Sequence, residues 1–364
     1  MKELGPPLNP RVKNLTLGKT LYNIPIVMGC TTLIAVPPAT RDNEIYLLWN
    51  FDVLRPAKLF FDRFRFFVTT SGGYNYVAWG IPGWLHIGMM NEKGLCFVGN
   101  AVGVSDGGME GATIFEIIEK ALSSCSTVDE VSKLYSDSNR LVLSGYSAVV
   151  FANLNSMWVD GQGNAITIEY SKNHIAVKKI DQTGVMVETN HHQYLSRKLS
   201  GSVEPSKQTA IAGSYARLGR AWELAKEYNG KFDLETVMRF ASDHETNYSL
   251  LPNYKVPSTG VVDDSTICCH LWNFGWYLRR LRLKDAFDAM AEGETTYSFI
   301  IQPKTRTIWL SKGKPCRSKY IPLKFGEELE KSGKKPIQQK LLKGRPKTFA
   351  LNTLLFLEKV FPIR

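Results

Sequence analysis

The sequence predicts a layered α+β domain on three observations: short runs rich in β-branched and aromatic residues come first, helical periodicity follows, and strand-like runs return near the end. The first run is "TTLIAV", directly after Cys30. "EIYLLWNF" (44–51), "RFRFFVTT" (63–70), "GLCFVGNAV" (94–102), "SAVVFA" (147–152) and "SMWVD" (156–160) continue the series. Glycine-bearing turns join neighbours: "MNEKGL" (90–95) reads as strand–turn–strand, as does "DGQGNAITIEY" (160–170), with Asp160 to Asn164 forming the turn. In "ATIFEIIEKALSSC" (112–125), Ile114, Ile117, Ile118, Ala121 and Leu122 share one helical face, which predicts core packing. "YARLGRAWELAKEY" and "LETVMRFASD" carry the same period. "TTYSFIIQP" and "RTIWLSKG" read as a hairpin turned at Pro303 to Thr305. The chain has no internal repeat.

A chain of 364 residues with 44% hydrophobic composition has ample core material for one large domain, which excludes the disordered and fibrous classes. Its net charge of +11 is uneven: residues 317–364 hold twelve Lys/Arg against four Glu and so supply +8. That tail reads as a solubilising extension, with contact to an acidic surface as the alternative. Nucleic acid is not an expected partner. Cysteines 30, 96, 125, 268, 269 and 316 form no CxxC pair and no metal-ligand spacing, so neither a metal nor a cofactor is expected and a reducing, cytoplasmic setting is. Residues 1–29 lack the apolar segment of a secretory signal, and "FALNTLLFLEKVF" is too short and too interrupted to span a bilayer. The oligomeric state is open between a monomer and a homo-oligomer.

Within "IVMGCTTLIA" (26–35), Cys30 stands between a glycine and two threonines. A buried, inert thiol is one reading of it. The other starts from Gly29, which leaves its carbonyl open to approach, and from the hydroxyls of Thr31 and Thr32, which are available to polarise the same peptide. The thiol of Cys30 then cuts the chain after Gly29 by an N-to-S acyl shift and hydrolysis. The new chain begins at Cys30, and a thiol of pKa about 8.5 beside its own α-amine of pKa about 7.7–8.0 has an internal base. No histidine is needed. His191 and His192 diverge on a strand, and His86 reads as structural.

Four further segments supply polar groups. "LLWNFD" (47–52) puts Asn50 and Asp52 on one strand face, where Asp52 either holds the ammonium and orients the thiol or caps a turn. "MNEKGLCFVGNAVG" ends a strand at Asn100, "VMVETNHH" delivers Asn190, and "GSYARLGRAWEL" reads as a helix start with Arg217 in its first turn.

The order of these elements resembles the N-terminal nucleophile hydrolases, specifically the penicillin acyltransferase-like peptidase family related to choloylglycine hydrolases and acid ceramidase. The resemblance runs from about Gly29 to Lys324, and "SDHE" (242–245), "STICCH" (265–270) and "WLSKGKPC" (309–316) resemble that family's closing signatures. It implies a four-layer αββα sandwich with the nucleophile at the start of a central strand. It also implies a propeptide of residues 1–29, a hydrolase domain over 30–324 and a basic extension over 325–364. Cys30 becomes the nucleophile, Asp52 the residue holding its amine and thiol, and Asn190 the side-chain oxyanion donor. Asn100 lies near the oxyanion hole and Arg217 completes the cluster.

Bile-salt hydrolases and ceramidases carry arginine where this chain has Trp49, a departure that points to the acyltransferase-like branch. The implied activity is hydrolysis of, or acyl transfer from, a linear non-peptide amide through a thioester at Cys30, with a small acyl amide or acyl thioester as substrate. Tyr74, Tyr76, Trp79 and Trp84 read either as an acyl pocket or as core. Two alternatives stand beside this: an enzyme-derived scaffold protein whose basic tail engages an acidic partner, and an unprocessed Cys–His protease using His191 or His192.

Overall fold

The computed structural model describes residues 29–70, 72–83, 85–108, 110–142, 153–200, 209–251, 265–270, 293–331 and 338–339. The run at 147–152 and nearly all of the expected propeptide lie outside the described residues. The first strand, β1 (Cys30–Ala35), pairs with β2 (Tyr46–Leu54), after which the helix α1 (Arg55–Phe61) leads into a meander. That meander comprises β3 (Arg65–Thr69), β4 (Tyr76–Ile81), β5 (Leu85–Asn91) and β6 (Cys96–Ala101). Two helices, α2 (Ile114–Ser124) and α3 (Val128–Asp137), precede β7 (Leu154–Val159), β8 (Ala165–Tyr170), β9 (Ile175–Lys179) and β10 (Val185–Glu188).

The short α4 (Arg197–Ser200), the long α5 (Thr209–Glu227) and α6 (Leu234–Ala241) come next. The described chain closes with β11 (Gly293–Gln302), β12 (Thr307–Lys312), β13 (Tyr320–Lys324), α7 (Gly326–Lys331) and the two-residue β14 (Gln338–Gln339). Among the described residues the strands form two antiparallel sheets, ordered β10-β1-β2-β11-β12-β13 and β14-β3-β4-β5-β6-β7-β8-β9. β1 is therefore an interior strand, one place in from the edge.

The sheets pack face to face, with β1 and β2 against β6. Alternation sets what lies between them: Trp49 and Phe51 of β2 and Phe299 of β11 point inward, and Trp79 of β4 meets Phe51 and Phe299 with ring centroids 5.4 and 5.0 Å apart. The opposite face of β1 and β2 presents Leu33, Tyr46 and Leu48, which pack with Leu218 and Leu224 of α5 and Val237 and Phe240 of α6. On the far side, α2 lies on β5 and α3 on β8. The four-layer αββα order follows, with both sheets covered by helices. Tyr76 and Trp79 are thus core residues rather than pocket walls, Tyr74 lies under the Lys93 ammonium, and Trp84 is outside the described residues.

The helix α2 buries the face its period predicted, and Thr113 caps it in a box with Glu116. Gly88 of β5 admits it closely, since a Cβ there would stand 2.3 Å from Leu122 Cδ1. Its C-terminal end is closed by Asn91 Nδ2, which donates to the carbonyls of Leu122 and Cys125 at 2.8 Å each. The helix α3, not expected from periodicity, starts at a second capping box formed by Thr127 and Glu130. The expected start of α5 falls too late. The helix opens at Thr209, so Arg217 stands two turns inside it, not in the first turn.

The expected boundary at Lys324 is also too early. Phe325 and Leu329 are fully buried with the aromatic core, Asn75 Nδ2 donates to the Leu329 carbonyl, and Gln338–Gln339 pairs with Phe66 and Phe67. The basic composition hid a helix that anchors itself by one apolar face. Leu329→Ala should lower the free energy of unfolding by about 2–5 kcal/mol in a urea titration, as a truncated core leucine does. A loss below about 0.5 kcal/mol would make α7 a surface appendage.

Candidate active site

Cys30 opens β1 and is 1% exposed. Its backbone N–H donates to Asn190 Oδ1 at 2.8 Å, and Arg217 Nη2 donates to the same oxygen at 2.6 Å. On the other side of the Gly29–Cys30 peptide, the Asp52 N–H donates to the Gly29 carbonyl at 3.0 Å. Gly29 itself is wedged between charges: a Cβ there would stand 2.7 Å from Asp52 Oδ2 and 3.3 Å from Arg217 Nη1. A side chain at this position would have to displace the Asp52 carboxylate. One peptide bond is thereby gripped at its oxygen by β2 and at its nitrogen by the segment after β10.

Each partner is itself positioned. Asp52 lies in register with Thr295 of β11, whose hydroxyl donates to Asp52 Oδ1 at 2.6 Å, while the Cys269 thiol, 2.9 Å from the Thr266 carbonyl, stands 3.4 Å from Asp52 Oδ2. Asn50, on the same face, holds the carbonyls of Ala241 and Ile267 and accepts from Ser298. Asn190 donates from Nδ2 to the Ala101 carbonyl at 2.9 Å, and its N–H is taken by Ser214 Oγ at 2.8 Å. Ser214 and Arg217 sit three apart on α5, the spacing that puts two side chains on one helix face. That spacing within "GSYAR" could have revealed Ser214 from the sequence.

Asn100 is brought close to β1, where its Nδ2 donates to Thr32 Oγ1 at 2.8 Å. Thr32 in turn donates toward Glu188 O and Met157 Sδ. Its hydroxyl is therefore engaged across the strands and does not polarise the Gly29–Cys30 peptide, while Thr31 Oγ1 is buried without a hydrogen-bond partner. His191 stacks on Tyr215 and bonds Ser214 Oγ at 2.8 Å and Thr189 Oγ1 at 3.2 Å. Burial and the Arg217 charge hold it neutral, with a pKa lowered to about 3. His86 bonds the Tyr76 hydroxyl, a structural contact.

The Cys30 thiol is pushed up to about 12, first by burial and then by the Asp52 charge; the Asp52 N–H, the Trp49 indole and Arg217 act in the opposite direction. With the peptide intact this sulfur is a thiol across the neutral range. A base must take its proton for it to attack.

Behind the site the sequence reading missed a buried acidic pair. Glu169 of β8 accepts the backbone N–H groups of Gln193, Tyr194 and Leu195 at 2.6 to 2.8 Å, which shapes the turn beyond Asn190. Burial nevertheless raises it to about 7. Glu188 of β10, raised by burial and by the Glu169 charge, has Gln193, Thr167 and Asn155 around a carboxyl group that meets none of them at hydrogen-bonding geometry. Asn155 of β7 completes the support, donating to the His191 carbonyl at 2.8 Å. Polar residues on β7, β8 and β10 read as solvent-facing in the sequence, and it is the packing of the two sheets that buries them.

Residues 39–274 match the family model described as acyl-coenzyme A:6-aminopenicillanic acid acyl-transferase. The match takes in Asp52, Asn100, Asn190 and Arg217 and begins after Cys30. No curated protein matches the chain. Among solved structures, a mutant conjugated bile acid hydrolase from Clostridium perfringens is 15% identical, with 86% of this chain and 97% of that one covered at a TM-score of 0.45. Penicillin V acylase from Agrobacterium tumefaciens is 13% identical, with 85% and 90% covered at 0.47.

The acidic pair yields a pH dependence of known sign. A carboxyl group whose folded pKa is raised adds stability below its unfolded pKa of about 4.3 and loses it as pH rises through the folded value, here up to about 7 for Glu169. Glu188→Gln removes one of the two ionisations. The variant should melt with wild type near pH 4.5 and increasingly above it toward pH 8; a pH-independent difference in melting temperature would show that the pair ionises without cost.

Proposed function

This chain belongs to the acyl-coenzyme A:6-aminopenicillanic acid acyl-transferase family, and from that premise we propose that it is a cysteine amidase or acyltransferase that activates itself by cleavage between Gly29 and Cys30. The observation that carries the reading is the two-ended grip on that peptide, Asp52 N–H on its oxygen and Asn190 Oδ1 on its nitrogen. Attack of the Cys30 sulfur on the Gly29 carbonyl carbon puts negative charge on an oxygen that already faces an N–H donor. The thiol proton passes to the departing Cys30 nitrogen, the C–N bond breaks and a thioester forms. Water then releases residues 1–29 as a carboxylate and regenerates the thiol.

Cleavage converts an amide nitrogen into an α-amine with a pKa of about 7.7–8.0, the base that the thiol lacks beforehand. In turnover the amine takes the thiol proton, the sulfur attacks the carbonyl of a linear amide, and the leaving amine receives the proton. Asn190 and a backbone N–H stabilise the oxyanion, Arg217 holds Asn190, and Asp52 orients the amine and the thiol. The thioester is resolved by water or by an acceptor amine.

Intact-mass analysis of recombinant protein should show loss of residues 1–29, and Cys30→Ala should remain full length. Wild type that stays full length while active would overturn the mechanism. Gly29→Ala forces a methyl group onto Asp52 Oδ2, so its maturation should slow by roughly tenfold or more, a displacement cost of about 1–3 kcal/mol. In matured enzyme, Asn190→Ala should lower kcat by roughly 100-fold or more with little change in the far-ultraviolet circular dichroism spectrum. Near-normal turnover would remove Asn190 from the oxyanion site.

A further inference from the structure

Three segments resembling closing signatures play no direct part in the chemistry above, yet they converge. "SDHE" brings His244 from the end of α6, "STICCH" brings Cys268 and His270, and "WLSKGKPC" brings Cys316 from the turn between β12 and β13. One ligand-capable atom from each of the four lies within 4.8 Å of all the others. We propose that His244, Cys268, His270 and Cys316 bind one zinc(II) ion in a tetrahedral two-thiolate, two-imidazole site.

The spacing is that of a coordination shell. Zinc–sulfur bonds of about 2.3 Å and zinc–nitrogen bonds of about 2.0–2.1 Å at tetrahedral angles give edges of about 3.8 Å for S···S and about 3.6 Å for S···N. The structure has 3.6 Å between Cys268 Sγ and Cys316 Sγ, 3.5 Å between Cys268 Sγ and His270 Nε2, and 3.2 Å between His270 Nε2 and Cys316 Sγ. Three corners of the tetrahedron are in place. His244, exposed and with its ring 4.8 Å from that of His270 at 82°, closes the fourth by turning about its own side-chain torsions.

A mixed thiolate and imidazole set suits zinc over the oxygen-seeking cations, and four protein ligands leave no position open, so the role is structural. Binding releases the two thiol protons to solvent, and the ion needs no redox partner.

The supporting contacts hold the ligands' segments. Arg220 of α5 clamps Asp243 beside His244 through both carboxylate oxygens, and the Cys268 N–H donates to the Asp243 carbonyl at 2.9 Å. The N–H groups of Arg317 and Ser318 both reach the Lys314 carbonyl at 3.0 Å, fixing the turn that carries Cys316. Between two of the ligands stands Cys269, whose thiol reaches Asp52 and whose N–H donates to Thr295 Oγ1 at 2.8 Å. An ion held at this point locks the segment that buttresses Asp52. That consequence for catalysis rests on the proposed function; the site itself does not.

The test is metal analysis of full-length protein produced in zinc-supplemented medium and purified under reducing, anaerobic conditions. About one zinc per chain should survive gel filtration, cobalt(II) exchanged for it should give the intense visible bands of a tetrahedral centre with thiolate charge transfer, and a strong chelator should lower the melting temperature. Cys316→Ser and His244→Asn should each weaken retention against a chromophoric chelator by roughly tenfold or more. His244 is exposed, so its variant keeps the fold if the stronger one fails. A folded wild type that holds no zinc and melts identically with or without chelator would overturn the proposal, as would a Cys268–Cys316 disulfide in the anaerobic protein. Neither outcome depends on cleavage or turnover, so loss of the metal site and loss of the catalytic reading are told apart.

Discussion

The site depends on one hydrogen-bonded junction, the oxygen of Asn190 shared by the Cys30 N–H and the Arg217 guanidinium. It joins the start of β1, the turn after β10 and the middle of α5, three elements from distant parts of the chain. A guanidinium donor of this kind makes the amide oxygen a stronger, better-fixed acceptor than a neutral donor would. Because Arg217 is buried, it also places a cation beside Gly29 where Asp52 places an anion. Removing either one leaves the other charge in a low-dielectric interior without its opposite beside Gly29.

That junction explains where the site lies within the layers. A thiol at the first residue of an interior strand is surrounded by the aromatic inter-sheet core on one side and by strand ends on the other, where backbone donors and short polar side chains collect. Burial alone would leave the sulfur inert. What distinguishes Cys30 from the buried Cys96 is the set of groups around it: Asp52 of β2, Arg217 of α5, Asn190 from the segment after β10, and a peptide on its N-terminal side held at both atoms. The polar residues behind it cost desolvation energy, and Glu169 and Asn155 give the 189–195 turn its shape in return.

Much of this was legible in the sequence because it is written locally. Runs rich in β-branched and aromatic residues mark β1, β2, β3, β6 and β7, and helical periodicity marks α2, α5 and α6. Asp52, Asn190 and Arg217 sit within such runs, and an ordered series of motifs singled them out. The failures share a cause: they concern contacts between segments. Glu169 looks like an outward-facing strand residue until the second sheet and the 193–195 backbone cover it. For Tyr76 and Trp79 the sequence left pocket and core open, because what decides between them is packing against other segments, such as Leu122 of α2 against Gly88 and Phe299 of β11 against Trp79. The four converging cysteines and histidines come from three segments separated by more than twenty residues, and no ligand spacing can show them.

The thiol's protonation then carries the last step. With the Gly29–Cys30 bond intact, burial and Asp52 hold Cys30 near 12, so the sulfur is poorly nucleophilic toward anything that must reach it from solution. On the proposed mechanism the neighbouring carbonyl is different, because it adjoins the thiol and accepts the Asp52 N–H; proximity there would compensate for a scarce thiolate in a single intramolecular event. On the proposed mechanism the product of that event is an amine on the same residue. An internal base then replaces rare thermal deprotonation, and an ammonium formed during turnover faces the carboxylate that formerly opposed the thiolate. The Asp52 charge therefore changes sign in its effect: it suppresses the sulfur before cleavage and favours the charged intermediate after it.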